Sequence, residues 1–325
     1  MQTSRLLADI GGTNIRLAWQ AGPDGPLQDI RVQPCGDYPT LTDAVRDYLA
    51  QVAVPEPREG AFGIANPVTG DAIHMTNHSW NFSQRAVREA LGLRRLVFLN
   101  DFTALALALP RLSAQHLRQV GGAAAVPGAA VGLLGPGTGL GVSGLVFPPG
   151  SADGVPLAGE GGHVTLAAQT AQEADVIALL RERYGHVSAE RAVSGAGLVD
   201  LYHALRQLGQ CGGREVTEAA QVTALALGQH DALALQALEM FCGFLGSVAG
   251  DLALTLGAKG GIYLGGGIVP RLGAWFDGSG FRARFEGKGR FQGYLASIPC
   301  WVVDPAGAPA LYGAARALDL AGPGR

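Results

Sequence analysis

The chain has 325 residues, 48% of them hydrophobic and 16% charged, with a formal net charge of −3. That length holds two domains of ordinary size, each able to bury its own core. The near-neutral balance with no run of like charge argues against nucleic acid, while Cys35, Cys211, Cys242 and Cys300 form no CxxC pair, which speaks against a disulfide framework or a cysteine-built zinc site and fits a reducing cytoplasm.

The N-terminal "MQTSRLLADIGGTN" has no apolar stretch of signal-peptide length. "RLLADI" and "IRLAW" read as two strands around a tight Gly11-Gly12 turn. "TLTDAVRDYLAQV" spaces its apolar residues as a helix does, behind a threonine cap. "AFGIANPV" and "DAIHMT" read as strands, "SQRAVREALG" as a helix with a glycine stop, and "RRLVFL" as a further strand. This alternation indicates an α/β domain. The pattern restarts after Pro110 with "AAVGLLGPGTGLGVSGLVF", strand, glycine turn and strand. Its surroundings, Gly121 to Val146, are broken by Pro127 and Pro136 and cannot form one membrane helix. A helical region is expected from about Gln172 to Gly250, and "GIYLGGG" leads into a helix near "IVPRLGAWF". The expected domains are 1–110, completed by a C-terminal helix at about 304–325, and 111–303. The two glycine hairpins form a faint internal repeat, which suggests two similar halves across a cleft.

Several stretches could carry chemistry. In "ADIGGTN", glycine N–H groups and the side chains of Thr13 and Asn14 could cradle a phosphate, although a plain hairpin explains the glycines equally well. In "GPGTGLG", Gly137-Thr138-Gly139 offers the same donors. Gly139 to Gly144 also matches GxGxxG, but that fingerprint must open a helix, and "VSGLVF" continues as a strand. Gly265, Gly266 and Gly267 end a strand where a base or ribose could lie on bare backbone, or where helix and strand merely pack closely. Glu160 and His163 stand three apart in "LAGEGGHV", too few for a metal site, and Glu190 sits in a short polar insert. "VFLNDFTALALAL" ends a strand in Asn100-Asp101 and turns at once into a helix, so that the acid is either a cap or a catalyst.

Taken together, "DIGGTNIRLA", "NPVTGD", "MTNHSWNFS", "NDFTALALALP", "GPGTGLGV", "LAGEGGHV", "GHVSAERAVSG", "LGGGIVPR" and "FEGKGRF" resemble, in order, the bacterial glucokinase family of the proteobacterial type. The resemblance implies an α/β, two-domain actin-like (ribonuclease H-like) hexokinase fold with an inter-domain cleft. It also implies a homodimer and ATP-dependent phosphorylation of D-glucose at its 6-hydroxyl, the first step of glycolysis. By the same resemblance Asp101 is the general base, and Asn100, Glu160, His163 and Glu190 bind sugar hydroxyls. Ala8, Asp9, Ile10, Gly11, Gly12 and Thr13 form the first phosphate loop, Gly137 to Gly139 the second, and Gly265 to Gly267 meet the adenosine. Mg²⁺ is expected with ATP, keeping several of its waters. Ala8 stands where the family usually has glycine, and Pro136 where a small residue is common. The helix dipole after Asn100 is expected to keep Asp101 ionised, and sugar binding is expected to close the halves. The expected partners are glucose and ATP, with no nucleic acid and no membrane. The alternatives are a kinase of fructose, mannose or N-acetylglucosamine, or a sugar-responsive regulator, for whose DNA-binding module the first loop begins too near residue 1.

Overall fold

The structure, a computed structural model, describes residues 3–322 apart from 24, 77, 152 and 210–212. Asn77 of the "MTNHSWNFS" stretch and Cys211 therefore lie outside the described residues. The chain divides into two compact units, Met1–Ser113 with Ala306–Arg325, and Ala114–Pro305.

The first unit contains β1 (Arg5–Ile10), β2 (Asn14–Gln20), β3 (Leu27–Pro34), α1 (Leu41–Gln51), β4 (Glu59–Ile64), the short ribbon β5 (Ala72–His74) and β6 (Asn81–Ser83), α2 (Gln84–Ala90), β7 (Arg95–Asn100) and α3 (Asp101–Ala108). Its main sheet has the order β3-β2-β1-β4-β7. β1, β2 and β3 run antiparallel in sequence, whereas β1, β4 and β7 are parallel. Thr40 caps α1, its hydroxyl accepting the Asp43 N–H at 3.2 Å. β3 escapes the sequence reading because it is an exposed edge with Asp29 at φ 51°. Its register against β2 also shifts between Leu17 and Trp19, which breaks the alternation of apolar and polar residues.

Residue alternation gives the sheet two apolar faces. Leu6, Ala8 and Ile10 pack with Phe62 and Tyr48 on the α1 side. Leu7 and Ala61 pack with Leu311, Ala314 and Leu318 of the C-terminal helix Pro309–Leu320 on the other. That helix crosses α3 very closely: a Cβ on Gly313 would lie 1.6 Å from the Ala104 carbonyl oxygen. At the far end of the parallel strands, Arg5, Glu59 and Arg95 stand side by side in register. Arg5 bonds Asp319 at 2.7 Å, and Arg95 donates to the Leu318 carbonyl at 2.6 Å, so charge pairing clamps the same helix to the sheet.

The second unit contains β8 (Leu117–Gln119), β9 (Val131–Pro136), β10 (Leu140–Val146), β11 (Val155–Pro156), α4 (Ala171–Tyr184), α5 (Gly195–Leu208), α6 (Ala219–Thr223), α7 (Ala232–Leu256), β12 (Gly261–Leu264) and β13 (Cys300–Val303). Its sheet has the order β11-β10-β9-β12-β13-β8. The first five strands repeat the path of the first unit, with two antiparallel pairings followed by two parallel ones. The internal repeat suspected from the two hairpins is thus a repeat of sheet topology. The region expected to be helical from Gln172 is broken into separate helices, with a π-helical turn at Ala224–Gly228. α7 is long and apolar enough to cross a membrane, but 72% of its most apolar window is buried inside its own unit, as a core helix requires. Gly246 and Gly250 let α7 approach the Phe281–Glu286 helix, where a Cβ would meet the Phe281 and Phe285 carbonyls at 2.3 and 2.6 Å.

The Gly313 crossing yields a test. Gly313→Ala forces backbone against backbone, and overpacking of this kind costs about 1–3 kcal/mol or more. Gly70→Ala, with nothing within 4 Å of the added Cβ, serves as the control. Thermal denaturation should show a clear loss of stability for the first variant and little change for the second.

Candidate active site

β1 and β2 are joined through Gly11, Gly12 and Thr13, with the Gly11 N–H donating to the Asn14 carbonyl at 2.9 Å. Neither glycine has positive φ, so the turn itself does not demand them. A Cβ on Gly11 would touch only the Asn14 oxygen, at 3.4 Å, which leaves its outer side open. Cys35 supports the loop from below, its N–H donating to the Thr13 carbonyl at 2.8 Å. Ala8 and Ile10 point into the core and can offer a ligand only their backbone.

Alternation turns Asp9 to the opposite face. It pairs in register with Gly63 on β4, and a Cβ on Gly63 would lie 3.2 Å from the Ala104 Cβ and 3.7 Å from the Asp101 Cα. The bare glycine therefore lets the start of α3 settle against the sheet near Asp9. Arg16 lies opposite Asp9 across the hairpin, with Nη1 at 3.4 Å from Oδ2. The sequence reading passed over Arg16, although the hairpin register alone sets it opposite Asp9. Burial raises the Asp9 pKa, and the Arg16 charge opposes the rise. The side chain nevertheless keeps about 25% of its surface exposed, so it remains open to a ligand.

Asn100, not Asp101, caps α3. Its Oδ1 accepts the N–H groups of Phe102 at 3.0 Å and Thr103 at 3.1 Å, and its Nδ2 donates to Asp101 Oδ1 at 3.0 Å. Asp101 occupies the first helical position, its Oδ1 also accepting the Phe102 N–H at 2.9 Å. These donors favour the anion, as does the helix N-terminus. They do not prevail: burial, with the Asp9 charge added, pushes the Asp101 pKa up from 3.8 to about 7. The expectation that the helix dipole keeps Asp101 firmly ionised is thereby corrected. The group is poised at neutrality, where a carboxylate is a stronger base than a fully exposed one.

In the second unit Gly137, Thr138 and Gly139 connect β9 to β10, with the Gly137 N–H donating to Gly139 at 2.8 Å. The strand Leu140–Val146 runs on without opening a helix, which removes the dinucleotide fingerprint. Gly265, Gly266 and Gly267 follow β12 and lie against the base of this hairpin. Gly266 has φ 75° and comes so close that a Cβ would be 2.4 Å from the Pro136 oxygen. Gly267 has nothing within 4 Å. A short 3₁₀ turn, Val269–Leu272, stands where the sequence suggested a longer helix.

Glu160 and His163 flank Gly161 and Gly162 in a 3₁₀ turn packed on β10, and both side chains are exposed. A Cβ on Gly162 would strike the Leu140 oxygen at 2.2 Å. The chain beyond the turn pairs with the Glu190 segment: the Ala189 N–H donates to Val164 at 2.8 Å and the Leu166 N–H to Val187 at 3.0 Å. Glu190 is half-buried, and its Oε2 accepts the Leu140 N–H at 2.8 Å. The structure thus brings Glu160, His163, Glu190 and the second loop together around the start of β10. Among the described residues, no group of three or more His, Cys, Asp or Glu side chains could hold a metal ion.

These features, two α/β units of the same sheet path, each with a glycine hairpin, and an acid at a strand end, are consistent with the two-domain actin-like fold of sugar kinases. The chain matches the Glucokinase family model over residues 6–321. It is 56% identical over 318 residues to a glucokinase of Aromatoleum aromaticum, covering 98% of this chain and 95% of that one. A glucokinase of Chromobacterium violaceum is 52% identical over 315 residues, with 97% and 89% covered. Among solved structures, a glucokinase from an Antarctic psychrotroph superposes with a TM-score of 0.87 at 34% identity, covering 98% of this chain and all of the other. The chain belongs to the glucokinase family and is an enzyme that phosphorylates glucose.

The pKa of Asp101 makes a testable claim. Folding raises it from 3.8 to about 7, so the folded state holds the proton more tightly. The stability this contributes is whole below the unfolded value and is lost as pH rises through about 7. Asp101→Asn should therefore gain Tm over the parent at about pH 8 but not at about pH 3. A Tm difference independent of pH would contradict the placement.

Proposed function

We propose that the chain transfers the γ-phosphoryl group of ATP to the 6-hydroxyl of D-glucose, with Asp101 as general base. The observation that carries this reading is a strand-end carboxylate whose pKa is raised to about 7. A sugar hydroxyl attacks poorly until a carboxylate within hydrogen-bond reach takes its proton. Phosphoryl transfer otherwise needs position and charge neutralisation more than covalent help. Gly11 to Thr13 and Gly137 to Gly139 would offer N–H and hydroxyl donors to the phosphates, and the open face of Gly267 would receive the adenosine. Asn100, whose second amide hydrogen is not used by Asp101, would donate to a sugar hydroxyl, and Glu160, His163 and Glu190 would bind others.

Mg²⁺ fits a chain whose described residues offer single carboxylates rather than a cage. Asp9, desolvated and partly exposed, would hold it through the ion's waters. When bound, the ion neutralises charge on the phosphate oxygens. The chain's own residues orient the sugar, remove its proton at Asp101 and cradle the phosphates. A cytoplasmic setting accords with the buried free thiols of Cys35, Cys242 and Cys300, and assembly as a homodimer goes with the family resemblance.

Asp101→Asn keeps shape and hydrogen bonding but cannot accept the proton. Turnover in a coupled assay should fall about 10²–10⁴-fold while glucose still binds; turnover near that of the parent would refute the assignment. Alanine at Glu160, His163 or Glu190 should cost about 1–3 kcal/mol of binding with glucose. The loss should shrink with the deoxy sugar that lacks the matching hydroxyl. Equal losses with both sugars would mean that the residue only supports the fold.

A further inference from the structure

The second hairpin is closed by the Gly137 N–H on the Gly139 carbonyl, and the outward-pointing groups of the next residue pair are held from outside the hairpin. Pro136 and Leu140 face each other across Gly137-Thr138-Gly139. The Pro136 carbonyl is taken by the Ile268 N–H at 3.3 Å, directly beyond Gly265 to Gly267. The Leu140 N–H is taken by the Glu190 carboxylate at 2.8 Å. The carboxylate lies so close to the loop that a Cβ on Gly139 would stand 2.3 Å from its Oε2. Five residues past Glu190, the Gly195 N–H donates to the Gly137 carbonyl at 2.8 Å. The segment bearing Glu190 therefore holds the loop at both ends, and the loop in turn holds the Glu190 side chain in place.

We propose that Glu190 is a positioning residue that couples the two substrates, one carboxylate serving both a sugar hydroxyl and the backbone of the nucleotide's second phosphate loop. The proposal rests on the reading above, in which Glu190 binds sugar and Gly137 to Gly139 bind phosphate. A carboxylate has about four acceptor sites on its two oxygens. Oε2 can keep the Leu140 N–H while the remaining sites turn to a hydroxyl. A sugar bound there immobilises the carboxylate, and with it Leu140 and Gly139, before any nucleotide arrives. The nucleotide then meets a loop already ordered, so part of the cost of ordering it is removed and each substrate tightens the other. Reciprocity is required thermodynamically, so the link is visible from either side.

Isothermal titration calorimetry with glucose and with a Mg²⁺-bound non-hydrolysable ATP analogue tests this, each alone and in the presence of the other. In the parent, glucose should tighten the analogue about fivefold or more, the lower end of typical coupling. Glu190→Gln keeps an amide oxygen that can accept the Leu140 N–H. It should weaken glucose while holding the analogue within about twofold. Glu190→Ala leaves Leu140 unpartnered and should weaken both ligands measured alone, and reduce their coupling towards onefold. The sharpest arm is Gly139→Ala, whose new methyl displaces the Glu190 carboxylate. It should weaken glucose about fivefold or more with no nucleotide present, an effect that a residue touching phosphate alone would not produce.

Glu190→Ala that loses glucose affinity but binds the analogue as the parent does overturns the coupling and leaves the sugar role standing. Unchanged glucose affinity in Glu190→Ala overturns the sugar role and the coupling with it. Unchanged glucose affinity in Gly139→Ala overturns the coupling alone. Should Glu190→Ala fail to fold, Glu190→Gln and Gly139→Ala decide the matter.

Discussion

Burying Asp101 near a second carboxylate, Asp9, is the constraint around which the first unit is arranged. Loss of water raises the cost of ionising both acids, and for Asp101 the Asp9 charge raises it further. Arg16 offsets part of the Asp9 charge, and the unit holds Asp101 in place by fixing the backbone. Asn100 caps α3 and bonds Asp101, so strand end, cap and acid form one rigid corner. Gly63 leaves room for that corner against the sheet. Above it the C-terminal helix presses Gly313 on the Ala104 carbonyl, and the same helix is anchored at the far strand ends through Arg5, Arg95 and Asp319. A chain segment about two hundred residues away in sequence thus helps fix where the Asp101 carboxylate lies.

The second unit repeats the sheet path but uses it differently. In the first unit β7 runs into Asn100-Asp101; in the second it is β12, the counterpart of β4 in the path, that runs into three glycines. Where the first hairpin is braced by a backbone N–H from Cys35, the second is braced by a side-chain carboxylate, Glu190. One scaffold therefore supplies an acid at one strand end and bare backbone at the other. The difference lies in a handful of residues at loop ends, where sheet packing imposes least.

Much of this was legible locally. The hairpin strands, the threonine cap at Thr40 and the strand-to-helix corner at Asn100-Asp101 each follow from nearest-neighbour rules of alternation and capping, and the structure has all three. Elements that violate local rules were lost. β3 is polar, exposed and bulged, so its strand character comes only from pairing with β2. The glycine-rich run at Gly265 to Gly267 allowed either ligand contact or close packing; the packing is present at Gly266, which meets Pro136, while Gly267 stays open.

The sequence by itself determined the two hairpins, the alternation of strand and helix up to α3, and the residue types at each loop and strand end, because these depend on local backbone preferences and on the period of apolar residues. Tertiary structure alone decided the ionisation of Asp101, since burial and the Asp9 charge come from elements distant along the chain. It also decided that Asn100 rather than Asp101 caps the helix, and that Glu190 takes the outward-pointing Leu140 N–H of the second hairpin. A pKa and a side-chain hydrogen bond are sums over neighbours in space, and one-dimensional order does not name those neighbours.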